Sequence, residues 1–157
     1  MANLTSSYQI FPGDTTIIDT TATVPVLTRA KDESGNEYIY LAGCTSTIVG
    51  SWVTYDEDGA TTLLVANAIG PVAVAMAITS TTAKYGWYQV FGKCEACLIT
   101  GTADNAFLGF ETTAGYAGDG QAAGDCITGA VSRESSASTT GVYTCQICYP
   151  SVNDKSA

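Results

Sequence analysis

Two pairs of cysteines have the spacing of metal-binding or redox-active thiols. Cys94 and Cys97 form one Cys-x-x-Cys motif, and Cys145 and Cys148 form the other. Four thiolates from two such pairs can ligate zinc, and a Cys-x-x-Cys motif at a helix N-terminus is typical of thiol oxidoreductases. Both motifs, however, lie in β-like runs, where residues three positions apart point to opposite faces. We therefore predict buried thiols, with disulfides and a zinc site at these four cysteines as alternatives.

The other two cysteines, Cys44 and Cys126, have no local partner. A free cysteine behaves as a small hydrophobic residue, so we expect both to belong to the core.

The acidic groups and the missing histidine limit the chemistry further. Residues 56–59 (DEDG) and the glycine-rich stretch 119–125 resemble calcium loops in composition, but neither has the EF-hand spacing or its closing glutamate. We interpret both as solvated turns. Without histidine, Ser-His-Asp, Cys-His and His-ligated metal sites are excluded, and no motif singles out a carboxylate pair. The sequence predicts no catalytic residue, no cofactor and no enzyme.

The composition points to surface that is buried in an assembly. Of 157 residues, 46% are hydrophobic and 13% are charged, against about 25% charged residues in an average domain. The 15 acidic and 6 basic residues give a net charge of −9, which disfavours a nucleic-acid partner. A chain with so few charges risks association through its apolar faces, so we expect a subunit of a larger structure.

The uncharged stretch 60–83 raises the question of a membrane span. Gly70 and Pro71 interrupt it, and apolar side chains then alternate along 72–78 with a period of two. That period is typical of a strand, so we predict no membrane partner.

Short apolar runs separated by turn residues predict an all-β fold, a compact barrel or sandwich with an extended N-terminal arm. The arm or edge strand covers 1–30, the β domain 31–150 and a flexible tail 151–157. Within the arm, 15–27 is rich in Thr, Val and Ile, and we expect it to be extended. The other predicted strands are 38–44, 51–55, 61–66, 71–79, 85–100, 106–113, 126–131 and 141–149.

Aromatic residues gather in and around two of these strands. They are Trp52, Tyr55, Tyr85, Trp87, Tyr88 and Phe91. Core packing explains such a cluster, and the alternatives are a carbohydrate-binding platform or a contact between subunits.

Several segments resemble a known family. The run YGWYQVFG at 85–92 is followed by TAD at 102–104 and TTAG at 112–115, and then by DCITGAV at 125–131. GNEYIYL at 35–41 and GSWVTYD at 50–56 precede it. Together they resemble the head decoration, or capsid cement, proteins of tailed bacteriophages. The two Cys-x-x-Cys motifs depart from that family's pattern.

The resemblance implies a structural virion protein on the outer capsid surface. Such a protein forms homotrimers and clamps adjacent subunits of the major capsid protein, with no enzymatic activity and no cofactor. The runner-up function is an adhesive or carbohydrate-binding β module on a virion. An extended arm can add a strand to a neighbour through backbone hydrogen bonds. The candidate contact residues for the capsid or an adjacent subunit are Leu4, Tyr8, Ile10, Phe11, Trp52 and Trp87.

Overall fold

The computed structural model describes residues 12–120 and 125–153, and every regular element among them is a β-strand. The all-β prediction is confirmed. The strands are β1 Arg29–Lys31, β2 Glu37–Ala42, β3 Trp52–Tyr55, β4 Thr61–Leu63, β5 Gly70–Ala75, β6 Tyr85–Leu98, β7 Phe107–Gly109, β8 Cys126–Ser132 and β9 Gly141–Val152.

All pairings between these strands are antiparallel, and they join one sheet in the order β1-β2-β6-β5-β9-β8-β7, with the β3–β4 hairpin attached to β5. The 14-residue strand β6 has different neighbours along its length. Its first half pairs with β2 and β5, whereas from Phe91 onward it pairs with β9. Gly92, where the partners change, has a φ of +102°, a conformation that glycine adopts most readily.

The uncharged stretch considered above forms β4 and β5 rather than a helix. Residues 72–75 of β5 are almost completely buried on both faces. Val72 and Val74 pack into one apolar cluster, and Ala73 and Ala75 pack into another. Within the described residues, no helix has the length and apolar character needed to cross a bilayer.

Three apolar clusters fill the spaces around the sheet. The largest lies between the second half of β6 and strands β3, β5, β7, β8 and β9, and includes Trp52, Leu98 and Ile147. A second contains Ile39 and Tyr88. The third, made mainly of aromatic side chains, contains Tyr38, Tyr40, Trp87 and Ala30.

Residues 12–27 lie against the third cluster, but the extended segment predicted for 15–27 is wrong. Turns and bends replace it, and its one β-type contact is the isolated bridge between Asp19 and Tyr85. The Tyr40 hydroxyl donates a hydrogen bond of 2.5 Å to Asp19 Oδ2. Asp14 Oδ1 accepts a hydrogen bond of 2.9 Å from the Thr16 N–H. A side chain that occupies a backbone group in this way competes with a regular ladder, which propensity alone does not anticipate. The edge strand of this region is the short β1.

The C-terminal boundary also differs from the expectation. We predicted a flexible tail from residue 151, but β9 continues through Val152. Val152 pairs with Gly70 of β5 and with Ile127 of β8, and it is 2% exposed. Pairing on both sides of β9, together with the burial of Val152, holds residues 151 and 152 in the sheet beyond Pro150.

Candidate functional site

The four cysteines of the two motifs do not converge. Cys94 and Cys145 face each other across β6 and β9, whereas Cys97 pairs with Val142 and Cys148 pairs with Phe91. In the described part of the chain, no three Cys, Asp or Glu side chains form a group that could hold a metal ion. All six cysteines are free thiols. The zinc alternative is wrong because strand geometry separates residues three apart, so the four side chains do not meet at one ion. The disulfide alternative is wrong because all six cysteines, including the facing pair Cys94 and Cys145, are free thiols.

Burial makes three of these thiols unreactive. It raises the pKa of Cys94 well above its ordinary value, that of Cys145 to about 12 and that of Cys97 to about 11. Because the thiolate is the reactive species, these side chains act as small apolar groups. Cys44 is buried, as predicted, but the predictions for Cys126 and Cys148 are wrong, because both side chains are exposed.

Thiol alkylation tests this division. In the native protein we expect iodoacetamide to label Cys126 and Cys148, because these two are exposed and the other four are buried. Mass spectrometry should then show two modifications per chain, and six after labelling in denaturant. In the variant Cys148→Ser the native count should fall to one. Rapid labelling of Cys94 or Cys145 in the native state would contradict the arrangement.

Both tryptophans belong to the core. Trp52 is 0% exposed, and its indole N–H donates a hydrogen bond of 3.0 Å to the Cys97 carbonyl. Trp87 is 7% exposed and packs edge-on against Tyr40, with 5.2 Å between ring centroids. The prediction of core packing is confirmed, and neither ring supplies an exposed platform for a sugar. As contact candidates, Trp52 and Trp87 offer a partner almost no ring surface.

The other four contact candidates, Leu4, Tyr8, Ile10 and Phe11, lie outside the described residues.

The acidic side chains in the predicted turns hold loops in place. Asp56 Oδ1 accepts hydrogen bonds from the N–H groups of Asp58 and Ala60, at 3.0 and 2.9 Å. Asp119 accepts one from the Ala103 N–H, and Asp125 accepts one from the Asn67 N–H. The contacts of Asp119 and Asp125 span 16 and 58 residues of sequence, which the composition of the segments did not reveal.

The structure assembles a basic and aromatic surface that the sequence did not predict, here called the basic face. We define it by Arg29, Lys31, Phe91, Lys93, Arg133 and Tyr149. It carries four of the chain's six basic residues. The register explains its formation, since Lys31 pairs with Glu37, Glu37 with Phe91, and Phe91 with Cys148 beside Tyr149.

One half of the basic face is a chain of polar and aromatic contacts around Tyr149. Its hydroxyl donates to Glu37 Oε2 at 2.5 Å, and the Lys31 ammonium lies 2.5 Å from Glu37 Oε1. The hydrogen bond from Lys31 and that from Tyr149 lower the pKa of Glu37. The Arg29 guanidinium lies 5.9 Å from the Tyr149 ring centroid, and the Phe91 ring lies 5.3 Å from it. Glu37 is therefore ionised, and its contacts with Lys31 and Tyr149 hold these two side chains in place.

The other half is a groove of about 610 Å³ between β6 and β9. Its lining includes Phe91, Lys93, Arg133, Gln146 and Cys148. The Arg133 guanidinium is held by Gln146 Oε1, at 3.0 and 2.8 Å, and by Asn105 Oδ1, at 2.5 Å. Two amide oxygens therefore orient this cation without neutralising its charge.

The tyrosines of the core predict how stability depends on high pH. Burial raises the pKa of Tyr38 and of Tyr88 to about 12, from an ordinary value of 10.0. The folded state therefore retains these protons to higher pH than the unfolded chain does. Their contribution is complete below pH 10 and is lost as the pH rises from 10 to about 12.

We expect the unfolding free energy to fall across that interval, and the fall to be shallower in Tyr88→Phe, as measured by urea denaturation at a series of pH values. An unchanged slope in the variant would contradict the assignment.

The chain matches no protein-family model, no curated protein and no solved structure. The fold and the site define an all-β domain with four buried thiols and a basic face on an otherwise acidic protein.

Proposed function

We propose that the protein is a structural virion protein that decorates the outer surface of a phage capsid. In this role it clamps adjacent subunits of the major capsid protein and acts as a homotrimer. The family resemblance of the segments quoted above motivates the proposal, and the observation that carries it is the large amount of apolar surface that the protomer leaves uncovered.

Ten large hydrophobic side chains among the described residues are exposed. Phe107 and Ile69 are the most exposed, at 71% and 70%. A protein–protein interface that covered such side chains would remove apolar surface from water, which is favourable. The others are Ile17, Leu27, Ile48, Val49, Val65, Ile78, Val142 and Tyr149.

Strand β7 is terminal in the strand order and carries Phe107, one of the two most exposed apolar side chains. A capsid neighbour that covers this side chain would remove it from water. The net charge of −9 supports a position away from packaged DNA, since it repels an anionic partner.

Binding to empty shells tests the proposal. Purified protein is mixed with capsids that are built from the major capsid protein and lack this chain, and the copies bound per particle are measured. We expect saturable binding, with density in clusters of three on the outer surface. Phe107→Asp is expected to bind more weakly, whereas Glu33→Asp, an exposed conservative control, should bind as the parent does. Failure of the folded parent protein to bind these shells would refute the proposal.

Burial of the two tryptophans disfavours the alternative, an adhesive or carbohydrate-binding function. Its expected platform required exposed indole rings, and Trp52 and Trp87 are buried.

A further inference from the structure

We infer that the groove half of the basic face binds the acidic β3–β4 turn, residues 56–59, of a second copy of this chain. The inference rests on the proposed function, because it assigns the contact that would hold the homotrimer together. Three features of the protomer support it: cations without an ion pair, an apolar floor and an acidic turn, held by its own hydrogen bonds, elsewhere on the same chain.

The cations of the groove are available for an external anion. Lys93 and Arg133 are the charged residues in its lining, and neither forms an ion pair within the part of the chain that the structure describes. Two nearby carboxylates, Glu95 and Glu134, instead accept hydrogen bonds from Thr144, at 3.0 and 3.1 Å. Two cations without an ion pair therefore line one groove of a protein whose net charge is −9.

The rest of the groove suits a protein segment. Phe91 and Ile147 line it with the exposed thiol of Cys148, and Phe91 is supported from behind by the Tyr149 ring. An apolar floor beneath two cations fits a short acidic turn, whose backbone and methylene groups can cover the ring while its carboxylates reach the charges.

The β3–β4 turn has the complementary charge. Asp56, Glu57 and Asp58 are consecutive and exposed. Asp56 Oδ1 binds two backbone N–H groups, and the Gly59 N–H donates to the Asp56 carbonyl at 3.1 Å. These bonds fix the turn before any contact, so that little conformational entropy is lost on docking.

The two surfaces are different parts of the protomer, and this determines the symmetry of the contact. A groove on one copy that receives a turn from the next copy is a heterologous interface. Such interfaces generate rings when the rotation between copies closes, as a trimer requires.

Charge reversal with rescue tests the inference. In Lys93→Glu and in Asp58→Lys, we expect the dissociation constant of the assembly, measured by light scattering across a concentration series, to rise at least about tenfold. The double variant Lys93→Glu/Asp58→Lys should recover assembly, because the swapped charges again attract. Lys84→Glu makes the same change of charge outside the groove and should assemble as the parent does. Raising the salt concentration should weaken the parent assembly.

The outcomes separate the two proposals. If the parent is a trimer and Lys93→Glu leaves it intact, this contact is refuted and the proposed function stands. If both single reversals dissociate the trimer and the double variant does not restore it, the groove binds something other than this turn, which also refutes the contact. If the parent is monomeric at every concentration, the contact and the homotrimer are refuted together. Circular dichroism verifies that each variant is folded.

Discussion

Replacing Gly129 by alanine should destabilise the domain by more than about 3 kcal/mol, among the largest effects of a single substitution. Gly129 lies at the irregularity of β8, between Thr128 and Ala130, and has a φ of +83°. A Cβ atom there would lie 2.5 Å from the Cys148 carbonyl oxygen. This obstacle is backbone in the neighbouring strand, so relief requires β8 and β9 to separate locally.

A matched substitution separates the clash from the backbone conformation. Gly101 has a φ of +93° and no atom within 4 Å of an added Cβ. Gly101→Ala therefore carries only the cost of a left-handed conformation, about 1–2 kcal/mol. Urea denaturation followed by circular dichroism gives both values. Equal losses of unfolding free energy in the two variants would show that the β8 backbone moves away from the Cys148 carbonyl at little cost. This result would contradict the prediction.

Trp52→Ala should cost about 3–5 kcal/mol of unfolding free energy, a large part of the 5–15 kcal/mol typical of a domain. The side chain is completely buried in the largest apolar cluster, and its removal leaves a cavity inside that cluster. It also removes the donor to the Cys97 carbonyl.

One further variant separates the apolar contact of Trp52 from its hydrogen bond, and a second is a surface control. Trp52→Phe keeps much of the apolar contact, and the Cys97 carbonyl retains its second hydrogen bond, from the Ala117 N–H at 3.1 Å. It should therefore cost less than half as much as Trp52→Ala. Ile69→Ala, at a residue 70% exposed, should change stability by no more than about 0.5 kcal/mol. Thermal and urea unfolding measure both. A Trp52→Ala protein as stable as Ile69→Ala would overturn the core assignment.

The strands were predictable because their signal is local. Alternation and turn residues located eight of the nine strands, although 61–66, 71–79 and 106–113 were predicted longer than the β4, β5 and β7 that form. In β4 the strand ends before Asn67, whose φ is +58°. The end of a strand can depend on a side chain from a distant segment. Here Asp125 Oδ1 accepts a hydrogen bond from the Asn67 N–H.

The basic face was not predictable for the same physical reason. Arg29, Lys93 and Arg133 are separated by tens of residues and share no motif. Only the register of β1, β2, β6, β8 and β9 brings them to one surface. The Cys-x-x-Cys motifs show the opposite case, in which a strong spacing signal carried no site because both motifs fell in strands.

Strand β9 has a consequence for how the protein is made. It pairs with β5, β6 and β8, and the largest apolar cluster is incomplete without its Cys145, Ile147 and Val152. A ribosome adds about 5–20 residues per second, so for several seconds the nascent chain holds β6, from Phe91 onward, without its β9 partner. Chaperones that shield apolar strands therefore matter most before residue 152 has left the exit tunnel, and stalling upstream of β9 leaves a product open to proteolysis.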